Sequence, residues 1–396
     1  MAGRISGVSS RFQRVCPPGF MRVWCAAHQA DIHMQAFNDD LPVDFKSTMT
    51  TAIGYLRRQQ NLTSDLGSKC PKLISTRWSG MLRCTTWFDK HRIKLLAHFE
   101  SKTPACTPPP SWWVVLAFVK RVSQRADIAF KSLQGRSLLL CNQRQIITNL
   151  VRDLGDTLGF ILPLTESQRA AMEDDDRAVV SSDGTCGVFL DAISDFIDDS
   201  SSFVARTRQN LPADECHDIL VHLARSSTTL VHGINAVVSL RDTSNLAAIE
   251  EAPPVLPQQL AGMAPRVFTS TVLQKHRAQL EKHMTQQDVD AIEEEHLQLR
   301  ESYQRGDVKD LLESFDDSTP FQVAWHSLTG RFPRLYNFVG GLATIFPTTA
   351  TVESDFSVFK WEKDEYRQNL LDVSLEGVMH SKQYEKLKKL AQVPDQ

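Results

Sequence analysis

Apolar residues recur every three or four positions along much of this chain, which predicts helices rather than strands. The longest periodic run follows a proline-rich break from Thr103 to Pro110. Ser111, directly after this break, is predicted to be the N-cap of its helix. The apolar positions of the run lie on one face of that helix: Trp112, Val115, Val119, Val122, Ala126, Phe130 and Leu133.

Other stretches repeat this pattern more briefly. The predicted helices cover residues 26–37, 44–60 and 138–158, and a long helix that Asp214 opens toward Leu240. Thr165 and Gln168 have the spacing of a capping box, which starts a further helix. Residues 20–25 are apolar and aromatic and suit a short buried strand. Strand signals are otherwise few, so the sequence predicts a mainly α protein.

The second half of the chain begins at a proline-rich stretch, Ala252 to Pro257, which we predict to be a linker. Beyond it, residues 288–304 read as a charged helix with Glu295 on its exposed side. The acidic residues 173–199 are interpreted as a solvated face or loop in preference to a metal site, because runs of charge usually serve solvation.

Composition narrows the class of protein. The chain has 396 residues, 42% of them hydrophobic and 23% charged, and a net charge of -3. These values are typical of a globular protein with two or three domains and give the whole molecule no attraction to nucleic acid. The eight cysteines are scattered, which indicates free thiols. No apolar run has membrane-spanning length, so we expect no membrane partner.

Familiar chemical motifs are absent from the sequence. It has no glycine-rich nucleotide fingerprint, no phosphate-binding loop, no H-E-x-x-H and no G-x-S-x-G. Cys16, Cys25, His28 and His33 have an incomplete zinc-like spacing, and a buried thiol beside a backbone-bonded histidine explains Cys25 and His28 equally well. We therefore predict no metal site, no cofactor and no small-molecule substrate.

One basic segment stands out against the overall charge. It runs from Lys69 to Lys94 and includes Arg77, Trp78, Lys90 and Arg92. A cation beside an indole can hold a phosphate or an unstacked base, and it can also be an arginine packed on a tryptophan at the rim of a core. These four residues are the candidate DNA contacts.

Near the C-terminus, Glu353 lies one turn before Phe356 in a segment that follows Pro347 and several threonines. A carboxylate in the first turn of a helix is favoured by the helix dipole alone. Three signals nevertheless occur in the order found in hAT-type DNA transposases. Cys25 to His28 resembles their C-x-x-H motif, Arg77-Trp78 their R-W motif, and Leu335 to Ser357 the entry to their C-terminal dimerisation region.

The resemblance implies a fold and three regions. Residues 1–103 would be an incomplete remnant of an RNase H-like α/β core. Residues 104–265 would be a large helical insertion, and residues 266–396 would hold the end of the insertion and a C-terminal helical dimerisation region. By position, Glu353 corresponds to the family's third catalytic acid, and Cys25 and His28 to a structural motif beside the active site.

The departures from the family pattern decide the expected function. The first two catalytic aspartates precede the C-x-x-H motif in the family, whereas no Asp or Glu precedes Cys25 here. Two-metal strand transfer needs several carboxylates, so the ancestral Mg²⁺ site is incomplete and Glu353 is vestigial. Ser354 also replaces the usual arginine. We therefore expect a catalytically inactive, transposase-derived protein.

What remains of the family function is self-association, so a homodimer is the expected partner, with DNA as the alternative. The same apolar pattern also describes the core of a monomer. The resemblance implies a nuclear protein, and a cytoplasmic one stays open. The candidate dimerisation residues are Trp325, Leu328, Leu335, Phe338, Phe346, Phe356, Leu370 and Leu371.

Three alternatives concern the start and the history of the chain. A misassigned N-terminus with an aspartate motif upstream would restore an active transposase. Residues 1–30, which contain four arginines and no acid, also have the composition of a mitochondrial transit peptide. A decayed gene copy without a selected role is the remaining interpretation.

Overall fold

The computed structural model describes residues 15, 25–73, 78–135, 138–243, 253–316 and 319–345, together with 373, 374, 376–378, 380, 381, 384 and 388. The chain divides into two compact units, Met1–Pro347 and Thr348–Gln396. The described part of the first unit contains two hydrophobic cores, one built from residues between 26 and 238 and the other mainly from residues 255 to 339.

Helices build the first half of the first core. Their bounds are α1 Ala26–Asp39, α2 Phe45–Leu56, α3 Gln60–Leu66, α4 Trp78–Lys90, α5 Arg92–Lys102 and α6 Pro110–Leu133. The predicted helix over 26–37 is confirmed as α1. The predicted helix over 44–60 is confirmed in part, since α2 ends at Leu56 and α3 begins at Gln60. The predicted strand over 20–25 lies outside the described residues, apart from Cys25.

The second half of this core adds more helices and one hairpin. The elements are α7 Asn142–Leu158, α8 Glu166–Glu173, β1 Ala178–Val180, β2 Gly187–Phe189, α9 Leu190–Asp198, α10 Ser202–Gln209 and α11 Ala213–Thr243. The strands pair antiparallel, with Val179 opposite Val188. The capping box is confirmed, since Thr165 accepts the Gln168 backbone N–H and Gln168 accepts that of Thr165.

The centre of the first core is α6. Its seven predicted apolar positions are all buried, and so are Trp113, Val114 and Leu116 between them, because other helices surround its first turns. The helix begins at Pro110 after an extended Pro109, so the predicted N-cap at Ser111 is wrong: Ser111 lies inside the first turn and is buried. Proline suits this first position because it has no N–H to satisfy there.

The packing around α6 does not stop at residue 103. On one side α4 contacts it, and α7 and α10 contact it elsewhere, while α1 packs along α11. Leu95 and Phe99 of α5 belong to the same core as Trp112. The Trp112 indole N–H also donates to the Phe45 carbonyl at 3.1 Å. Residues on both sides of the predicted boundary at 103/104 therefore share one core.

The second core follows Pro253. It contains α12 Pro257–Gly262, α13 Pro265–Val267, a π-helical turn Phe268–Leu273, α14 Gln274–His283, α15 Gln286–Arg305, α16 Lys309–Glu313, α17 Phe321–His326 and α18 Pro333–Ala343. The predicted linker does fall between the cores. Its Val255 and Leu256 are nevertheless buried in the second core, so this stretch is packed structure rather than an exposed connection.

Four of the candidate dimerisation residues belong to this second core. Trp325, Leu328, Leu335 and Phe338 are between 0 and 5% exposed. The Trp325 indole N–H donates to the Val255 carbonyl at 2.9 Å. A single chain thus buries these four side chains, which favours a role in its own core over the predicted dimer surface. The other four, Phe346, Phe356, Leu370 and Leu371, lie outside the described residues.

The mainly α prediction is confirmed. In the parts of the chain that the structure describes, strands are limited to the β1–β2 hairpin and one isolated bridge between Ile161 and Gly187. Among the described helices, none combines the length and apolar character needed to span a bilayer.

Candidate nucleic-acid interface

Charge is distributed unevenly along the chain. The stretch 69–94 contains seven of the 44 Lys and Arg residues but one of the 47 Asp and Glu residues, Asp89. This local excess of positive charge, on a chain of net charge -3, makes the stretch the candidate binding site for an anionic partner.

Helix α4 has one buried side and one side exposed to water. Its buried side chains are Met81, Cys84, Thr85 and Phe88, which recur at helical spacing. Phe88 packs edge-to-face on Trp112 of α6, with ring centroids 5.3 Å apart. The burial of this stripe fixes which side of α4 faces water. Arg83 and Lys90, seven residues apart, share that outer side and are both exposed.

The segment that follows α3 lies along α4. The Cys84 thiol donates toward the Pro71 carbonyl at 4.0 Å. The Ser68 hydroxyl is 3.0 Å from Trp87 Nε1 and 2.9 Å from His91 Nε2. These contacts hold the segment in place, so its exposed Lys69 and Lys72 are displayed beside α4.

Not every cation of the stretch is available to a partner. Arg92 donates to Asp89 at 2.7 Å and its guanidinium lies 4.5 Å from the centroid of the Phe203 ring. Lys120 of α6 shares the same Asp89 at 2.7 Å. Arg92 is thus already paired within the protein and packed on an aromatic ring, and its contact with DNA stays a prediction.

Lys94 is also paired within the protein, with the Asp65 carboxylate 3.2 Å away. In contrast, no carboxylate of the described residues pairs with Lys69, Lys72, Arg83 or Lys90. We call these four exposed cations the basic face. Of the predicted DNA contacts, Lys90 belongs to it.

The remaining predicted contacts are described in part or not at all. Arg77 lies outside the described residues. Trp78 is the first residue of α4, and only its backbone is described. The pairing of these two residues therefore stays a prediction.

The positive charges of this region lower the pKa values of two nearby histidines. Burial lowers the pKa of His91, and the neighbouring charges of Lys90 and Lys94 lower it further. Burial and Lys102 lower the pKa of His98 in the same way. Both imidazoles thus favour their neutral form in the absence of an anion.

The other predicted site residues do not form a cluster. Cys25 precedes α1 and is half-buried, whereas His28 is exposed on α1. The described part of the chain brings together no group of three or more His, Cys, Asp or Glu side chains that could hold a metal ion. Within the acidic stretch, Asp198 pairs with Arg208 at 2.6 Å, and Asp183 accepts the Ser181 hydroxyl at 2.7 Å. The vestigial acid Glu353 lies outside the described residues.

Comparison with known proteins adds no relative. No protein-family model matches the chain, and neither a curated protein nor a solved structure matches it.

The sequence interpretation missed Ser68 and His91 as members of this surface. They are 23 residues apart in the chain, and a serine at that distance from a histidine carries no local signal of contact.

Proposed function

We propose that this chain is a non-enzymatic protein that binds the phosphate backbone of nucleic acid through its basic face. The observation that carries the proposal is the set of four exposed cations without a carboxylate partner in the described residues, on a protein whose net charge is -3. Such a set is favourable only when an anion approaches it, because the cations repel one another in its absence.

The dimensions of the face fit an extended polyanion. Arg83 and Lys90 are separated by two turns of α4, roughly 10 Å along the axis at about 1.5 Å per residue. That distance corresponds to about three nucleotide steps along one strand. Lys69 and Lys72 extend the cationic surface beyond the helix. Contacts of this kind position a duplex or a single strand without reading its sequence.

A salt series tests the proposal directly. Fluorescence anisotropy follows the binding of a labelled DNA duplex between about 25 and 200 mM salt, roughly one decade. The affinity should decrease steadily as the salt concentration rises. The variant Arg83→Gln with Lys90→Gln should bind more weakly and reduce the slope of log K against log salt by about 2. Absence of any salt-sensitive complex at low ionic strength would reject the proposal.

A matched control removes two exposed cations elsewhere. Arg266→Gln with Lys282→Gln changes the net charge by the same amount on the second core, where both side chains are exposed. This variant should keep the wild-type slope. Equal losses in both variants would mean that only the total charge matters and that the basic face is not the site.

We also propose that the chain is related to hAT-type transposases. The order of Cys25 and His28, Arg77-Trp78 and Glu353 along the sequence supports this relationship. On this proposal residues 1–103 correspond to the RNase H-like remnant, the helices of 104–265 to the insertion, and the protein is nuclear. Incubation with DNA and Mg²⁺ should give no cleavage. Cleavage that Glu353→Gln abolishes would instead establish an active transposase.

Self-association through the C-terminal unit is the second candidate function. Within the described residues of Thr348–Gln396, Val373 is 79% exposed and Tyr384 is 58% exposed. They are eleven residues apart, close to three helical turns, which would place them on one face of a continuous helix. Light scattering should give twice the chain mass, and Val373→Asp should restore the single mass. A single mass for the wild type at high concentration would reject this candidate.

A further inference from the structure

Ser68, Trp87 and His91 form a hydrogen-bonded trio beside the basic face. Gly67, at φ +64°, ends α3 and turns the chain so that Ser68 meets α4. The indole N–H of Trp87 can only donate, so it donates to Ser68 Oγ at 3.0 Å. His91 Nε2 lies 2.9 Å from the same hydroxyl oxygen, and the serine hydrogen can be donated to it when that nitrogen carries no proton.

The neutral imidazole can complete this arrangement. When Nε2 is its bare nitrogen, it accepts the serine hydrogen. Burial, Lys90 and Lys94 all lower the pKa of His91, in that order, which favours the same state. The imidazole is half-buried, and the chain neighbours of the trio, Lys69 beside Ser68 and Lys90 beside His91, are exposed.

The charged groups around His91 come from three elements. Lys90 and Asp89 are on α4, and Asp89 is shared between Arg92 and Lys120. Lys94 is on α5, and it is paired with Asp65 of α3. The acids near His91 are thus already bound to cations, and a new anion would be the dominant negative charge at this position.

Protonation of His91 would rearrange the trio. An Nε2–H group donates instead of accepting, so the Ser68 hydroxyl would accept from both Trp87 and His91. Its own hydrogen would then be released from the imidazole and be available to an outside acceptor. The proton comes from solvent, and no bond other than hydrogen bonds changes.

We propose that Ser68 and His91 form a proton-coupled phosphate subsite at the edge of the basic face, in which His91 takes up a proton as a nucleic-acid phosphate binds and the Ser68 hydroxyl donates to a phosphate oxygen. This inference rests on the proposed nucleic-acid binding. It adds a neutral donor and a titratable cation to the four fixed cations of the basic face.

The thermodynamic consequence is a pH-dependent affinity. A phosphate near His91 offsets the repulsion from Lys90 and Lys94 and raises the pKa of His91 in the complex. The complex therefore binds more protons than the separate molecules, and affinity increases as the pH falls from 8.0 toward 5.5. A single coupled proton can contribute at most about tenfold per pH unit.

The test compares affinities for one labelled DNA duplex at constant ionic strength across that pH range. Wild-type affinity should increase about three- to tenfold more than that of His91→Gln (within the one-proton limit). Ser68→Ala should match the wild type at pH 8.0 and fall below it at pH 5.5. The control His98→Gln removes another half-buried imidazole of the same region, whose Nε2 lies 3.1 Å from the Tyr55 hydroxyl rather than beside Ser68. This control should keep the wild-type pH response.

A second measurement does not depend on comparing affinities. Titration calorimetry in two buffers of different ionisation enthalpy counts the protons taken up on binding. Uptake near pH 6.5 should be present in the wild type and lost in His91→Gln. Equal uptake and equal pH response in both proteins, with salt-sensitive binding intact, would overturn this inference and leave the proposed function standing. A protein that binds no DNA at any pH would overturn the function itself.

Discussion

The carboxylate of Glu295, in the middle of α15, accepts a hydrogen bond from the backbone N–H of Leu335 at 2.8 Å. Leu335 is the third residue of α18, whose first turn otherwise has no side-chain cap. Glu295 thus performs from another helix the role that an N-cap side chain usually performs locally. The prediction that Glu295 faces solvent is wrong for this reason: it is half-buried and joins two helices of the second core.

Removal of this carboxylate should therefore destabilise the protein. Glu295→Ala leaves a backbone donor of α18 without its partner, and loss of a capping group costs about 0.5–2 kcal/mol. Urea denaturation should show this decrease in the free energy of unfolding. Glu294→Ala, at an exposed neighbour on the same helix, should change it by less than about 0.5 kcal/mol. Equal effects of the two substitutions would contradict the capping role.

The second core gives a sharper prediction about the supposed dimer surface. Leu328 is 2% exposed in the monomer, whereas Val323 on the preceding helix is 55% exposed. Leu328→Ala should lower the free energy of unfolding by about 2–5 kcal/mol, as for other buried leucines. Val323→Ala should change it by less than about 0.5 kcal/mol.

Light scattering on the folded Leu328→Ala protein completes this experiment. The mass should equal that of the wild type, because the Leu328 side chain packs inside the second core. A protein that kept its stability and changed its mass would show that Leu328 serves an interface after all.

The helices were predictable because helical periodicity is a local property of the sequence. The apolar positions of α6 and the Thr165–Gln168 capping box depend on residues within a few turns of each other, and the structure confirms both. Ser111 failed as an N-cap because three prolines precede it. Pro110 has a backbone φ that already suits a helix, so the N-cap is Pro109 and the helix starts two residues earlier than predicted.

The surface was less predictable, because pairing depends on distant residues. A count of charges located the basic stretch but could not separate Arg92, which pairs with Asp89, from Lys90, which has no carboxylate partner in the described residues. Trp325 and Leu335 fit a dimer face and a monomer core equally well by periodicity. The distinction required the position of Val255, 70 residues away in the chain from Trp325.

The free energy of unfolding should decrease as the pH is lowered, because His296 is buried in its neutral form. This imidazole is 1% exposed, stacks on Phe268 with ring centroids 4.0 Å apart, and contacts the Leu260 carbonyl through Nε2 at 3.0 Å. Burial lowers its pKa below the ordinary 6.5; the contact with the Leu260 carbonyl opposes this effect, and the positive charge of Arg300 adds a smaller lowering. As the pH is lowered, His296 is therefore protonated in the unfolded chain at a higher pH than in the folded protein.

The direction of the pH dependence of stability follows from the lower pKa of His296 in the folded protein. The contribution of His296 is fully present above pH 6.5 and is lost as the pH falls through the lowered pKa of the folded protein. The free energy of unfolding should decrease from pH 7.5 to 5, by at most about 1.4 kcal/mol per pH unit for this proton. His296→Gln should show a shallower decrease over the same range. An identical slope in both proteins would assign the pH dependence to other histidines.

Two thiols beside the basic face should resist alkylation while the protein is folded. Burial and the neighbouring Cys84 raise the pKa of Cys70 to about 12, and burial raises that of Cys84 to about 11. The thiolate is the nucleophile, and fewer than about one in a thousand of either group is present as the thiolate near pH 7.5. Peptide mapping after iodoacetamide treatment should find both unmodified in native buffer and both modified in urea. If either thiol reacted in native buffer at the rate of the unfolded chain, the segment from Ser68 to Pro71 would not be held against α4, and the Ser68–His91 contact would lose its structural support.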